Sequence, residues 1–326
     1  MTAITLVEAV NLALKREMGD DPAVVVLGQD VGIDGGVFRA TVGLSERFGA
    51  ERVIDTPLAE ALIAGMAIGM AVEGLRPVAE IQFSGFGYTV IDQLVNHAGR
   101  LRHRTQGRLG CPMVLRTPCG AGIHAPEHHS ESPESMFAHV PGIRVVYPSS
   151  PRRAYGLLLA AIRDPDPVVF LEPSRLYRLF KEEVPDDGQA LALDTCFTLR
   201  EGTDVTLVTW GPMVPDALGV ADELAAQGIA AEVIDVATLK PLDLEPILAS
   251  VARTGRCVVI TDAARTCSFA SEIAAGIAEE GLLSLFAPVQ RVTGYDVVPP
   301  LYRLEHENIP SRQRIMAAVK KALDFA

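Results

Sequence analysis

A carboxylate at the head of an apolar helical stretch is the residue of this sequence most suited to chemistry. The segment reads Asp55-Thr56-Pro57-Leu58-Ala59-Glu60-Ala61-Leu62-Ile63-Ala64-Gly65-Met66-Ala67-Ile68-Gly69-Met70-Ala71-Val72. Thr56 reads as an N-cap and Pro57 as the first helical residue, where no amide donor is needed. Every side chain from Ala61 to Val72 is apolar or small, so the pattern predicts a helix buried all round. A carboxylate there costs on the order of several kcal/mol unless something partners it. The competing reading is a first-turn acid that complements the helix dipole, worth under about 1 kcal/mol. Glu60 stands one place too late to form a capping box with Thr56.

The second concentration of chemistry is Gly120-Ala121-Gly122-Ile123-His124-Ala125-Pro126-Glu127-His128-His129-Ser130. Four of the seven histidines fall between positions 124 and 139, three of them in this glycine-rich stretch. His124-Ala125-Pro126-Glu127-His128 matches the His-x-x-Glu-His pattern of inverted zinc peptidases. That chemistry needs a regular helix to put both imidazoles on one side of a metal, and Pro126 with the preceding glycines opposes one. Surface histidines without a role and an active-site loop both remain. Ionisable groups on a loop carried by a rigid scaffold favour the loop.

Composition narrows the class. Hydrophobic residues make up 48% of the 326-residue chain and charged residues 21%, enough apolar surface for about two domains of ordinary size. The formal charge of −12 argues against a nucleic-acid surface and suits a basic protein partner. Cys111, Cys119, Cys196, Cys257 and Cys267 show no Cys-x-x-Cys spacing and read as reduced thiols. Met1-Thr2-Ala3-Ile4 opens no export signal, and the apolar run 61–72 falls short of the roughly 20 residues a bilayer requires. The expectation is a soluble, cytoplasmic protein.

Short apolar strands alternate with helices along the whole chain. Thr5-Leu6-Val7-Glu8 is a capping box opening a helix to about Met18. Strands follow at Val24–Leu27, Val78–Phe83, Met113–Arg116, Arg144–Tyr147 and Val168–Leu171, with helical pattern over 88–104 and 151–162. A Glu-Glu-Val-Pro-Asp-Asp-Gly stretch then reads as a linker. A second alternating unit carries strands at Val205–Thr209, Ala231–Val236 and Cys257–Thr261. The fold class is α/β, with two doubly wound parallel-sheet domains over residues 1–190 and 191–326.

Asp55-Thr56-Pro57-Leu58-Ala59-Glu60 followed by Gly74-Leu75-Arg76-Pro77-Val78-Ala79-Glu80-Ile81-Gln82-Phe83 closely resembles the β subunits of 2-oxo acid dehydrogenase E1 components, nearest to the bacterial pyruvate type. Gly35-Gly36-Val37-Phe38-Arg39-Ala40-Thr41, Pro148-Ser149-Ser150-Pro151, Ile162-Arg163-Asp164, Glu232-Val233-Ile234-Asp235 and Arg291-Val292-Thr293-Gly294 extend the likeness over essentially the whole chain. It implies a thiamin pyrimidine-binding domain followed by a transketolase C-terminal-like domain. The implied activity is thiamin diphosphate-dependent oxidative decarboxylation of a 2-oxo acid, with acyl transfer to a lipoyl-bearing E2. Branched-chain 2-oxo acid and acetoin dehydrogenase β subunits stay open as alternatives, as does a non-catalytic assembly subunit that binds E2.

By the same resemblance, Glu60 hydrogen-bonds the pyrimidine ring, Phe86 stacks on its face and Gln82 lines the pocket. His129, immediately before Ser130, stands where the family has its catalytic histidine; His124 and His128 are neighbours without an assigned role. The superfamily's magnesium signature, Gly-Asp-Gly with a later Asn, is matched neither by Gly19-Asp20-Asp21 nor by Asp186-Asp187-Gly188. The diphosphate and Mg2+ are therefore expected on an α subunit in an α2β2 heterotetramer. Met113 with Ala161, Ile162, Asp164 and Asp166 resembles a potassium-holding set, against the plainer reading of a proline-rich turn. Asp296 aligns with a position implicated in E2 docking. The chain departs from the family at Gln29, where Gly28-Gln29-Asp30-Val31 replaces the usual Gly-Glu-Asp-Val, and has glycines on both sides of Phe86.

Overall fold

The computed structural model describes residues 3–325, and the chain divides into two compact units. The first runs to Cys119 and resumes over Met136–Leu193; the second comprises Gly120–Ser135 and the chain from Asp194 onward. In the first unit, α1 (Leu6–Asp20) opens on the expected capping box. The Glu8 carboxylate accepts from the Thr5 N–H at 2.7 Å and the Thr5 hydroxyl at 2.8 Å, bonds that hold its pKa below the usual value.

Six strands of this unit, β1 (Val24–Gly28), β2 (Val53–Asp55), β3 (Arg76–Glu80), β4 (Val114–Cys119), β5 (Arg144–Val146) and β6 (Val168–Pro173), pair in parallel in the order β5-β6-β4-β3-β1-β2. Their unbroken apolar runs reflect burial on both faces. From β1 the chain steps to β2 on one side, and from β3 to β4 on the other. The crevice between the loops after β1 and β3 is thus a topological switch point, where open α/β sheets take their ligands. The register aligns Asp55, Gly28, Glu80, Arg116 and Phe170 in one row near that edge.

Helix α2 (Glu60–Val72) starts later than Thr56 and Pro57 suggest. The Thr56 N–H donates to Gly28 O at 3.0 Å, keeping that residue at the end of β2, and its hydroxyl turns to Pro57 O. Ala59 is the N-cap and Glu60 the first helical residue. The helix is also not buried all round. Ile63, Ala64, Ala67 and Ala71 are covered, whereas Leu62 is 46% exposed, as is Leu58, just before the helix, at 62%. An all-apolar composition says that both faces want cover, but not that one chain supplies it.

The helical pattern over 88–104 is broken into the turn Ser84–Thr89, the helix Ile91–Asn96, the turn Ala98–Arg100 and the short helix Leu101–Arg104. A Cβ on Gly99 would lie 2.6 Å from Pro141 O, so tertiary approach of two backbones overrides the local preference there. Helix α3 (Pro151–Arg163) follows the reading closely, with Ser150 accepting from the Arg153 N–H and Pro151 in the first turn.

The second unit carries β7 (Phe197–Arg200), β8 (Val205–Thr209), β9 (Ala231–Asp235), β10 (Cys257–Ile260) and β11 (Gln290–Val292) in the order β11-β10-β8-β9-β7. All pairs are parallel except the edge strand β7, which runs antiparallel to β9 and makes the sheet mixed. Helices α4 (Val214–Ala225), α5 (Glu245–Thr254), α6 (Phe269–Glu280) and α7 (Arg312–Leu323) complete it. Val205, Leu207, Val258 and Ile260 form the core with Val220 and Leu224 of α4 and Ile315 and Val319 of α7. Ala121 lies in the same core and roots the histidine loop in this unit. No helix among the described residues is long and apolar enough to cross a membrane.

Candidate active site

Loops leaving the carboxyl ends of β1, β2 and β3 lie side by side because their strands do. Glu60 enters at the first position of α2 and is half-buried. The loop after β1 is stiff: Asp30 (φ +58°) accepts the Gly36 N–H on its carbonyl at 2.9 Å and the Asp34 N–H at 3.2 Å. Asp55, at the end of β2, takes the Gly32 and Ile33 N–H groups on its two carboxylate oxygens at 2.7 and 3.0 Å. The Gln82 amide, just past β3, donates to Asp30 Oδ2 at 3.3 Å and reaches Gln29 O at 3.5 Å. Phe86 is half-buried in the Ser84–Thr89 turn, edge-on to Phe83 with centroids 6.3 Å apart, and that turn packs against α2. Glu60, Gln82 and Phe86 therefore stand on neighbouring elements of one unit.

Beneath this crevice lies a buried charge cluster that the sequence does not announce. Arg116 on β4 clamps Glu172 with two bonds of 2.6 and 2.8 Å and also bonds Glu80 on β3. The Tyr177 hydroxyl donates to Glu172 as well. Burial raises the Glu80 pKa, with Arg116 opposing. Gly36 (φ +77°) sits directly over that carboxylate, and a Cβ there would stand 3.1 Å from Glu80 Oε1. A side chain there would combine a left-handed backbone with a contact tighter than ordinary packing, so glycine lets the loop rest closely on the cluster.

In the second unit, the histidine loop closes through the Gly120 N–H to Glu131 O at 2.8 Å. His124 adopts φ +59°, and only Glu127–His129 turn, as a single 3-10 segment. The two-turn helix a His-x-x-Glu-His zinc site requires is therefore not formed. His128 and His129 are edge-to-face with centroids 4.4 Å apart. Burial, and then the His128 imidazole, lower the His129 pKa, while Glu127 opposes. His129 is thereby held towards the neutral form, in which its imidazole can accept a proton.

Past the loop, Glu134 is fully buried and accepts from the Thr261 hydroxyl at 3.1 Å, with Asp262 nearby. Burial and the Asp262 charge push its pKa to about 8. The folded chain thus holds this proton to about pH 8, whereas the unfolded chain releases it near the ordinary value of 4.5. Its stabilising contribution is complete below the lower value and is lost as pH rises towards the upper one. Glu134→Gln, which cannot ionise, is therefore expected to gain on the parent as pH rises from about 5 to about 8, by on the order of 1 kcal/mol for each tenfold fall in proton concentration. Urea titrations at the two pH values measure it; a difference that does not change with pH refutes the assignment.

The remaining sequence candidates have protein partners. The carbonyls of Met113 and Ala161 accept the Val168 and Asp164 N–H groups, and those of Ile162 and Asp164 accept from Arg76 at 2.9 and 3.3 Å. The Asp164 and Asp166 side chains pair with Arg144 and Arg102 at 3.0 and 2.7 Å. The guanidinium groups of Arg76, Arg102 and Arg144 thus all contact this turn. Asp296 accepts the Thr266 N–H at 2.8 Å and hydroxyl at 2.7 Å, which lowers its pKa and ties down the turn that carries it.

Residues 2–179 match the family model described as the transketolase pyrimidine binding domain, and residues 195–315 the transketolase C-terminal domain. The pyruvate dehydrogenase E1 component subunit beta of Bacillus subtilis (strain 168) is 46% identical over 325 residues, covering 100% of both chains. The chain belongs to the pyruvate dehydrogenase E1 β-subunit family. The Acholeplasma laidlawii protein of the same name is 46% identical over 98% of each chain. Among solved structures, one described as a split gene transketolase, inactive beta4 tetramer, superposes with a TM-score of 0.76 at 25% identity over 99% of each chain. The crevice beside Glu60 falls within the matched pyrimidine-binding domain. Asp55 stands inside the sequence signature, yet its work as an anchor for the loop after β1 emerges only in three dimensions. Glu80, Arg116 and Glu172 each interrupt an apolar run, which is the one signal in the sequence for them, whereas Glu134, among Ser132, Pro133 and Ser135, has none.

Proposed function

We propose that this chain is the β subunit of a thiamin diphosphate-dependent E1 that oxidatively decarboxylates pyruvate and passes the acetyl group to a lipoyl-bearing E2 in the cytoplasm. The observation that carries the proposal is the carboxylate of Glu60 at the mouth of the switch-point crevice, in a chain alike over its full length to pyruvate dehydrogenase E1 β subunits. The donor set fits the pyrimidine end of the cofactor: a carboxylate for a ring nitrogen, an aromatic face in Phe86 and an amide in Gln82. When bound, thiamin diphosphate would supply the carbanion chemistry that decarboxylation of a 2-oxo acid needs. Glu60 holds or moves a proton at the ring nitrogen. Phe86 orients the ring, and Gln82 with Asp55 keeps the loop after β1 against it. His129, biased towards neutrality, would exchange a proton at the lipoyl dithiolane, whose S–S bond opens as the oxidant: one sulfur takes the acyl group and the other leaves as a thiolate that is protonated.

The diphosphate and its Mg2+ belong on an α subunit in an α2β2 assembly, because this sequence lacks the Gly-Asp-Gly signature. The exposed apolar side of α2 supports a chain that expects cover from outside itself. Met113 with the 161–166 turn stands as a candidate potassium set, with a plain proline-rich turn as its alternative. Asp296, kept ionised by Thr266, is the acid proposed to meet a basic E2 domain. Co-expression with the α partner, followed by assays on pyruvate and on branched 2-oxo acids, tests the reading. Turnover of pyruvate by the pair and none by this chain alone is the expected result. Preference for branched substrates would move the chain to the branched-chain class, and an inert pair would make it an assembly subunit.

A further inference from the structure

The histidine loop is pinned by a carboxylate that lies far from it in sequence. Glu305 opens the short helix Glu305–Asn308 and is only 1% exposed. Its Oε1 accepts the Gly122 N–H at 2.6 Å and its Oε2 the His124 N–H at 3.2 Å. The His124 Nε2 stands 3.7 Å from the same carboxylate, and the His306 ring meets His124 edge-on at 5.7 Å. Both amide donors sit where the backbone runs left-handed, at φ +102° for Gly122 and +59° for His124. Successive N–H groups in such a conformation point into one concavity that suits an anion.

The choice of residue is informative. A buried carboxylate is costly unless hydrogen-bonded, and a helix terminus in a core has cheaper occupants. What a carboxylate offers is two acceptor oxygens and no donor, so each of the two convergent N–H groups has an oxygen of its own. At the far end of the loop, Glu134 is held by Thr261. At its base, Ala121 is packed in the hydrophobic core. The Pro126–Ser130 turn that carries His129 is suspended between these fixed points.

We propose that Glu305 is a positioning residue for acyl transfer: its carboxylate fixes the entry of the 120–131 loop and so presents His129 in one orientation. The proposal rests on the reading of His129 given above. The α/β assembly carrying Glu305→Gln or Glu305→Asp tests it by three measurements. The first is hydrogen exchange of peptides spanning residues 120–131. The second is transfer to free lipoamide, and the third is pyruvate decarboxylation with ferricyanide as electron acceptor.

Gln keeps one acceptor and turns a donor towards the second N–H; Asp keeps both oxygens but withdraws them. Exchange in the loop is expected to quicken about tenfold or more in Glu305→Gln and less in Glu305→Asp. Transfer should fall roughly 10- to 100-fold in kcat with little change in KM, since about 1 Å of misplacement can cost that much. Decarboxylation to ferricyanide should fall far less. Unchanged exchange overturns the clamp, whether or not transfer suffers. Faster exchange with normal transfer overturns the positioning role. His129→Ala, assayed in parallel, separates the two readings: if it transfers normally, the role of His129 fails while the exchange result still decides whether Glu305 holds the loop.

Discussion

Replacing Glu60 by Gln is expected to cut pyruvate turnover by the assembled enzyme by about a hundredfold or more, the range set by losing a positioned proton-transfer group. The substitution keeps shape and hydrogen-bonding capacity and removes only the ability to hold or surrender a proton. Gln is as good a helix former as Glu, so the start of α2 should persist. The alternative, an acid placed only to complement the helix dipole, predicts a stability change under about 1 kcal/mol and unaltered turnover. Steady-state decarboxylation with an artificial electron acceptor, beside thermal melting of the α/β assembly, separates the two. Assembly with near-normal melting and almost no turnover is the expected pair of results. Full turnover would remove Glu60 from the chemistry and leave it a dipole partner.

The sequence was most legible where local pattern and tertiary environment agree. Val24–Gly28 and Val205–Thr209 are apolar throughout because both faces of a parallel strand are covered, and their limits are close to those read from the residues. Thr5 with Glu8 and Ser150 with Pro151 mark helix starts that the structure keeps. The start of α2 failed for a specific reason. Thr56 is a good cap in isolation, but its N–H ties it to Gly28 O across the sheet and its hydroxyl turns to Pro57 O rather than accepting a helix N–H. The strand Val53–Asp55 and the edge strand β7 are too short or too polar to show a period. Helix α7 did carry a signal, with Ser311 as N-cap and Ile315, Val319 and Ala322 on one face.

For the site, the residues of the signature were legible and their supports were not. Glu60, Gln82 and Phe86 fall close together in sequence, so the motif brings them out as a group. Glu80 meets Arg116 only because β3 and β4 pair in one register, and Glu305 reaches the histidine loop from the far end of the chain. No local pattern encodes such long-range partners.

Arg116→Met should be the most damaging single change to the stability of the first unit. The Arg116 side chain is 1% exposed and lies between Glu80 at 3% and Glu172 at 0%. Burial works against its charge, yet Glu172 and then Glu80 hold its pKa above the ordinary value. Burial, followed by Glu172, likewise raises the Tyr177 pKa, so its hydroxyl remains a donor. Removing the guanidinium leaves two carboxylates facing one another without a cation. Breaking a buried ion pair from one side costs about 3–5 kcal/mol, a large share of a domain's typical stability of about 5–15 kcal/mol. Urea unfolding of the assembled protein measures the loss. Exchanging all three charged residues together for apolar ones of similar volume should restore much of it, because no unpaired charge then remains. The damage should also reach the site. Gly36 rests on Glu80, and Tyr177, Phe38, Phe83 and Phe86 form a chain of rings with successive centroids 5.1, 5.5 and 6.3 Å apart. Loosening the cluster therefore frees both the loop after β1 and the ring assigned to the cofactor. A variant within about 1 kcal/mol of the parent would mean that water or a rearranged partner replaces the guanidinium, and the cluster could no longer be held to support the crevice.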